Sequence, residues 1–435
     1  MSSIRKQTTH RWVKSLLSNE PFDDCDRCVA TAAASVYPLC SGMSAAIVSR
    51  WARRYVLTSA LFLVVWQTGV LVGLRPRTEV LLGVFGFVLH MIFGKAYSLV
   101  PSYFERELIV TRAPGVQFPL TVGGTCSLAV VSALPGLECL EPIGASLWGL
   151  GVGVFLVGLL WTIRGNLTGE ATGTGEANAD RRSVDRVANG FVPVALTYLA
   201  IGSYETVAIH TGLPTLFDGY FPRVSHLLAA GTATMLVFAL GFRLLPRFLV
   251  ASPPLWLVVL VLPAGALGPL LLATTLGSSS AWFTLGAVIE ALAMIGFTLT
   301  YAVLFVRSDR RRVGFYGVLA GAGSGVLAIT LGLSFAFGHL SPSLALAHFR
   351  LNVLGFLGLT IIGVAYQFYP PAIGTFRGAS NHAALLSIGC LAGGLLNQVV
   401  GLVGQLRLMI LSGELLTLIG TVVYVYQIIA VFHAR

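Results

Sequence analysis

Twelve long apolar runs constrain this chain more than any other feature of its sequence. Each has roughly 18 to 26 residues, which as a helix is enough to cross about 30 Å of hydrocarbon. The chain is 55% apolar and only 11% charged, which leaves too little polar surface for a soluble fold of 435 residues. The sequence therefore predicts an all-α polytopic membrane protein, with the lipid bilayer as its first partner. The predicted helices lie near 55–74, 79–101, 117–135, 143–163, 190–210, 224–245, 253–275, 281–306, 313–338, 345–369, 381–404 and 409–433.

The positive charges divide unequally between the two sides of this predicted bundle. If the N-terminus is cytoplasmic, 22 of the 28 Lys and Arg residues lie on the cytoplasmic side, and Lys95 and Arg350 lie within helices. Cytoplasmic loops carry an excess of Lys and Arg, so the pattern predicts a plasma-membrane protein with both termini cytoplasmic. Topology thus accounts for the pI near 9.6, and the basicity gives no support for nucleic-acid binding. The opposite side has four: Arg75, Arg77, Arg223 and Arg407.

Histidines recur on every fourth predicted helix: His90 on helix 2, His226 on helix 6 and His348 on helix 10. This spacing predicts three four-helix units that present imidazoles to a shared interior, where haem iron or another metal could bind. A Gly/Thr-rich stretch after the first unit predicts a flexible cytoplasmic loop. The predicted segments are a polar, disordered N-terminal part at 1–50, helices 1–4 at 51–164, the loop at 165–189, helices 5–8 at 190–312 and helices 9–12 at 313–435.

The N-terminal segment carries one short motif. Cys25 and Cys28 have the spacing of metal ligands or a redox pair, but no second Cys or His pair follows at the distance that a zinc site needs. Met43, ahead of a basic cluster, is an alternative start. We expect the segment to be dispensable.

Predicted helix 10 carries the most specific pattern. Residues 347–358 read AHFRLNVLGFLG and are followed by Gly363, Tyr366 and Pro370. At 100° per residue, His348 and Arg350 lie about 200° apart, on opposite helix faces. This helix resembles helix 10 of the haem-copper oxidase catalytic subunit, whose His-x-His pair places one haem on each side. The likeness is closest to the cytochrome c-linked C-family oxidases.

Helices 2 and 6 extend the resemblance. Residues 226–232, HLLAAGT, resemble the HLWVEGT pattern of bacterial nitric oxide reductases, in which the histidine binds the non-haem metal. His90, followed eleven residues later by Pro101, is similar to the low-spin haem helix of the oxidases. NnrS-type membrane haem proteins are a second relative: residues 90–94, HMIFG, echo their HEMLFG, and His226 with Gly231 and Arg243 matches their helix 6 spacing.

The resemblance implies a haem protein with reduced ligation. His348 would be the proximal ligand of a high-spin haem, His226 a distal group and His90 a ligand of a low-spin haem. Arg350 replaces the family's second helix 10 histidine and would pair with a haem propionate. Predicted helix 7 has no histidine and Ala230 replaces the reductase glutamate, so a complete dinuclear centre with copper or non-haem iron is not expected.

The expected function is therefore the handling of nitric oxide, oxygen or electrons by a membrane haem protein that is not a full terminal oxidase. An electron donor or a second membrane subunit would be its partner. The catalytic residues and the gas are not specified by the sequence.

Two alternatives stay open at this stage. Each histidine has a purely structural interpretation, in which it hydrogen-bonds a neighbouring helix backbone or an intramembrane Glu. Glu290 and Glu414, each alone in an apolar helix, fit either interhelical hydrogen bonding or proton relay. The competing function is a twelve-helix secondary transporter, although such proteins usually show two six-helix repeats rather than a recurrence by four.

Overall fold

The computed structural model describes residues 36–278, 280–374 and 376–434, and within these ranges the chain forms helices and no strands. Twelve helices are long and apolar enough to cross a membrane, which confirms the number predicted from the apolar runs. They are α1 Ala46–Leu71, α2 Pro76–Tyr103, α3 Ala113–Ala133, α4 Glu138–Asn166, α5 Glu176–Thr211, α6 Phe221–Leu249, α7 Leu255–Thr275, α8 Ala281–Arg307, α9 Val313–Ala336, α10 Pro342–Phe368, α11 Asn381–Gly404 and α12 Arg407–His433.

Two segments differ from the sequence prediction. The helix that contains α1 begins at Val36, so residues 36–50 are helical, whereas Cys25 and Cys28 lie outside the described residues. The second segment is 165–189, for which composition predicts a flexible loop.

Segment 165–189 instead folds into a 3₁₀ helix, Glu176–Arg181, and most of a short α-helix, Arg182–Gly190, which precedes the membrane part of α5. Its Asp185 is buried and pairs with Arg247 at 2.5 Å and with Arg243 at 3.4 Å. These two α6 arginines tie the segment to the bundle, a long-range contact that a Gly/Thr-rich composition does not reveal.

Helices α2, α6 and α10 form the centre of the bundle. In their most apolar stretches 83%, 72% and 78% of the residues are buried, against at most 56% in the other nine helices. Each of the three contains a π-helical stretch, and these stretches contact one another. The π-helices are Leu81–Leu89, Leu227–Thr234 and Leu351–Leu359.

Because a π turn contains more residues than an α turn, side chains beyond it emerge on a different face from the one an ideal α-helix gives. Such turns occur often at functional sites. The three central helices therefore share both their position and an uncommon backbone, and all three carry a histidine next to or within three residues of that backbone.

Close glycine contact brings α9 against α10. A Cβ added to Gly363 would lie 2.5 Å from the carbonyl oxygen of Gly314 and 2.8 Å from the amide nitrogen of Val318. Only a residue without a side chain fits there, and small residues of this kind let membrane helices approach closely.

Candidate functional site: two anchored histidines and a buried arginine cluster

The histidines of α2, α6 and α10 share one local arrangement. In each, Nδ1 lies 2.8 Å from a backbone carbonyl oxygen, so Nδ1–H donates and the carbonyl accepts. A neutral imidazole has a single N–H, so this bond fixes the tautomer and leaves the lone pair on Nε2. The acceptors are Phe85 for His90, Pro222 for His226 and Ala328 for His348.

His226 and His348 both lie near the start of a central helix, within six residues of the first residue of α6 and of α10 respectively. Both imidazoles are half-buried. Asn352, one turn further along α10, lies with Nδ2 3.2 Å from His348 Nε2 and donates to it. The assignment of these two histidines to one pocket stays a prediction.

His90 has different surroundings. It is fully buried, and its ring lies 5.2 to 6.5 Å, centroid to centroid, from the rings of Phe62, Tyr55, Phe93 and Trp148. These neighbours come from α1, α2 and α4, and none comes from α10. Its Nε2 has no hydrogen-bond partner among the described residues.

Arg350 is the hub of a buried charged cluster. Its guanidinium donates to both carboxylate oxygens of Glu79 on α2, at 3.0 and 3.3 Å. Its Nη1 donates to Glu414 on α12 at 3.1 Å and to Gln398 on α11 at 3.0 Å. Trp66 on α1 adds a hydrogen bond to Glu79 at 3.3 Å. The guanidinium on α10 therefore bonds to three other helices, and Trp66 adds a fifth helix to the cluster through Glu79.

The sequence predicts that Arg350 pairs with a haem propionate, and that contact stays a prediction. In the structure four of the five N–H donors of Arg350 already bond to protein groups, and Glu79 is the partner that sequence reasoning missed. Glu79 falls at the predicted start of helix 2, where a carboxylate looks like an ordinary interfacial charge. The only indication of such a pairing in the sequence is the isolated charge of Arg350 in apolar helix 10, which requires some partner.

The other intramembrane charges have separate environments. Lys95 donates to Tyr369 at 2.8 Å and lies over the ring of Phe368, 4.1 Å from its centroid. Glu205 accepts from the backbone N–H groups of Leu216 and Phe217 at 2.8 and 3.4 Å, which caps the loop before α6. Glu290 on α8 keeps a buried oxygen without a hydrogen-bond partner in the described structure.

A cavity of about 100 Å³ lies between α2, α6 and α10. Its lining is apolar apart from Lys95 and Thr360, and its residues belong to the later halves of the three helices. It is therefore towards the opposite membrane face from His226 and His348. A volume of this size corresponds to roughly three water molecules and is far too small for a porphyrin.

The donor sets allow a direct test of fit for the cofactor that the resemblance implies. His348 presents an anchored imidazole whose Nε2 lone pair is the kind of donor that a haem iron takes, so this residue would suit the role of its protein ligand, with His226 as a second anchored imidazole. The pair His90 and Arg350 does not fit a second haem, because the first is enclosed by rings of α1, α2 and α4 and the second is bonded to Glu79 and Glu414. No group of three His, Cys, Asp or Glu side chains that could hold a metal ion occurs in the described part of the chain.

Comparison of the chain with protein-family models and with curated proteins finds no match.

Proposed function

We propose that this protein is an integral membrane haem protein, with a helix arrangement like that of the haem-copper oxidase catalytic subunit. The single observation that carries this proposal is the shared anchoring of His226 and His348, each bonded through Nδ1 to a backbone carbonyl oxygen near the start of a central helix. The centrality of α2, α6 and α10 supports a grouping into three units of four helices. The charge bias supports cytoplasmic termini.

The chain's own residues would prepare the site as follows. The carbonyl oxygen of Ala328, on α9, orients the ring of His348 and raises the basicity of its Nε2. The carbonyl of Pro222 does the same for His226. Asn352 must release Nε2 before His348 can act as a ligand, and its amide then becomes available as a hydrogen-bond donor within the site.

A haem bound here supplies reversible binding of small gases and one-electron chemistry. With His348 as the one protein ligand, His226 would act as the distal group for nitric oxide, carbon monoxide or oxygen. Because its Nδ1–H donates to the Pro222 carbonyl, its Nε2 would donate to a bound gas only when the ring is protonated or in the other tautomer. Two histidines fall short of the ligand set of a dinuclear centre, so we propose gas binding or electron transfer rather than oxygen reduction by a terminal oxidase.

The test is an absorption spectrum of detergent-purified protein from haem-replete cells, before and after dithionite. We expect a Soret band that His348→Ala removes, because nothing else anchored near it can replace the proximal imidazole. His226→Ala should retain the band and change the carbon monoxide spectrum. His382→Ala, an exposed histidine at the start of α11, is the matched control. A colourless wild-type protein would refute the proposal.

Ion-coupled secondary transport is the second candidate, and the buried charges favour it. Glu79, Arg350 and Glu414 join α2, α10 and α12 within the apolar bundle, and intramembrane ionisable residues commonly mark ion pathways. Proton uptake by reconstituted vesicles in response to an imposed membrane potential would support this function. If no proton uptake occurs and the protein shows a Soret band, the transport function is rejected and the haem proposal stands.

A further inference from the structure

The cluster around Arg350 has one more carboxylate than it has cations. Glu79 and Glu414 both bond to the single guanidinium, and the other members, Gln398 and Trp66, are neutral. The charges that act on Glu414 are Arg350 and Glu79. With both carboxylates ionised, the cluster would carry a net charge of −1.

That charge would lie in a dry part of the protein. Glu79, Arg350, Gln398 and Glu414 are 2%, 4%, 1% and 6% exposed, and all belong to membrane-spanning helices. An uncompensated buried charge is costly in a low-dielectric interior, and a carboxylate there takes up a proton instead. We propose that the cluster is a proton-binding site that holds one exchangeable proton at neutral pH.

Glu414 is the carboxylate that holds this proton. Glu79 accepts three hydrogen bonds from N–H donors, two from Arg350 and one from Trp66. Glu414 accepts one, from Arg350 Nη1, which leaves room on this carboxylate for a proton. Its side chain is also the more exposed of the two, 8% against 2%.

The binding step is balanced without any other reactant. A hydronium ion transfers its proton to a carboxylate oxygen of Glu414, one O–H bond forms and one breaks, and water leaves. The cluster changes from −1 to neutral, and Arg350 keeps its paired contact with Glu79. The proton-binding proposal does not depend on haem, since the residues of the cluster lie on the Arg350 side of α10 and not at His348.

The test is infrared spectroscopy of the purified protein in H₂O and D₂O, which reports protonated carboxylic acids through their carbonyl stretch. Glu290→Gln serves as the background, because Glu290 on α8 has a buried carboxylate oxygen without a hydrogen-bond partner in the described structure and could add a band of its own. In this background Glu414→Gln should remove the intensity of one protonated carboxyl. Glu79→Gln should remove it as well, because Glu414 then becomes the only counter-charge to Arg350.

Arg350→Gln should have the opposite effect and add the intensity of one further protonated carboxyl, since both carboxylates then lack a cation. Arg350→Lys, which keeps the charge, should leave the wild-type intensity and covers the case in which Arg350→Gln does not fold. Unchanged intensity in Glu414→Gln would overturn the proposal. A protonated-carboxyl band of unchanged intensity in Glu79→Gln would also overturn it, because protonation of Glu414 would then not depend on the net charge of the cluster.

Discussion

Arg350→Gln should be among the most destabilising single substitutions in the chain. Among the described residues, Arg350 is the cation that contacts both Glu79 and Glu414, and the change leaves a neutral amide in its place. The guanidinium makes four hydrogen bonds, each to a carboxylate or an amide oxygen, and is 4% exposed. Its loss therefore acts on α2, α10, α11 and α12 together.

The magnitude follows from the burial of the cluster. Removing one partner of a buried ion pair costs about 3–5 kcal/mol. Summing charge-assisted hydrogen bonds at about 1.5–3 kcal/mol each would give more, but these bonds are not additive and the carboxylates relax by taking up protons. At the usual unfolding entropy per residue, a chain of 435 residues loses roughly 1 °C of melting temperature per kcal/mol. We expect a decrease of about 3–5 °C.

Thermal melts of purified protein in one detergent, followed by tryptophan fluorescence, measure this shift. Glu414→Gln is the matched comparison, because it keeps the Arg350–Glu79 pair and a side chain of the same shape, and should cost about 1–2 kcal/mol. A melting temperature for Arg350→Gln equal to that of the wild type would refute the reasoning, since it would mean that the cluster is not buried as described.

Three further predictions concern packing, the segment before α5 and an exposed pair. Gly363→Ala should cost about 1–3 kcal/mol because its methyl group would meet the backbone of Gly314, whereas Gly323→Ala on the facing helix has nothing within 4 Å and should melt like the wild type. Asp185→Asn should speed tryptic cleavage after Arg181 and Arg182, since it weakens the contacts to Arg243 and Arg247; equal cleavage in Asp185→Asn and in the exposed control Asp180→Asn would contradict this. Hydrogen bonds from Arg223 hold the pKa of Asp218 at about 2, below its ordinary 3.8. The stabilisation that this pair gives the folded protein is therefore present above pH 4 and is lost as pH falls towards 2. Thermal melts across that range should show a dependence of melting temperature on pH that Asp218→Asn lacks.

The number of membrane helices and the identity of the central ones follow from the sequence because they depend on local composition. Apolar length alone predicts twelve membrane helices, and the histidines identify α2, α6 and α10 as the three that form the centre. The same reasoning selects His226 and His348 as candidate site residues because each lies in a recognisable helix 6 or helix 10 pattern, and their role stays a prediction. These are properties of single helices.

The charged cluster could not be predicted, because it depends on how separate helices pack. Glu79 and Arg350 are 271 residues apart, and their pairing requires α2 to lie against α10. The π-helix Leu81–Leu89 also lies between Glu79 and His90. In a regular α-helix a spacing of eleven residues places two side chains on nearly the same face. Here both Glu79 and His90 contact α1, but Glu79 also contacts α10 whereas His90 contacts α4.

This separation changes what Arg350→His should do. The sequence pattern predicts that restoring His-x-His creates a bis-imidazole site with His90. The rings around His90 belong to α1, α2 and α4, so we now expect no new low-spin signal by electron paramagnetic resonance. Such a signal would show that α2 can present His90 to α10.

The central claim is that His348 is the protein ligand of a haem, and imidazole rescue tests it most directly. His348→Gly deletes the ring while its neighbours Asn352 and the Ala328 carbonyl remain. We predict that the variant, purified from haem-replete cells, lacks the Soret band of the wild type and regains it when haem and imidazole are added together, but not with haem alone. An unchanged Soret band in His348→Gly, or a band that imidazole does not restore in the folded variant, would contradict the assignment.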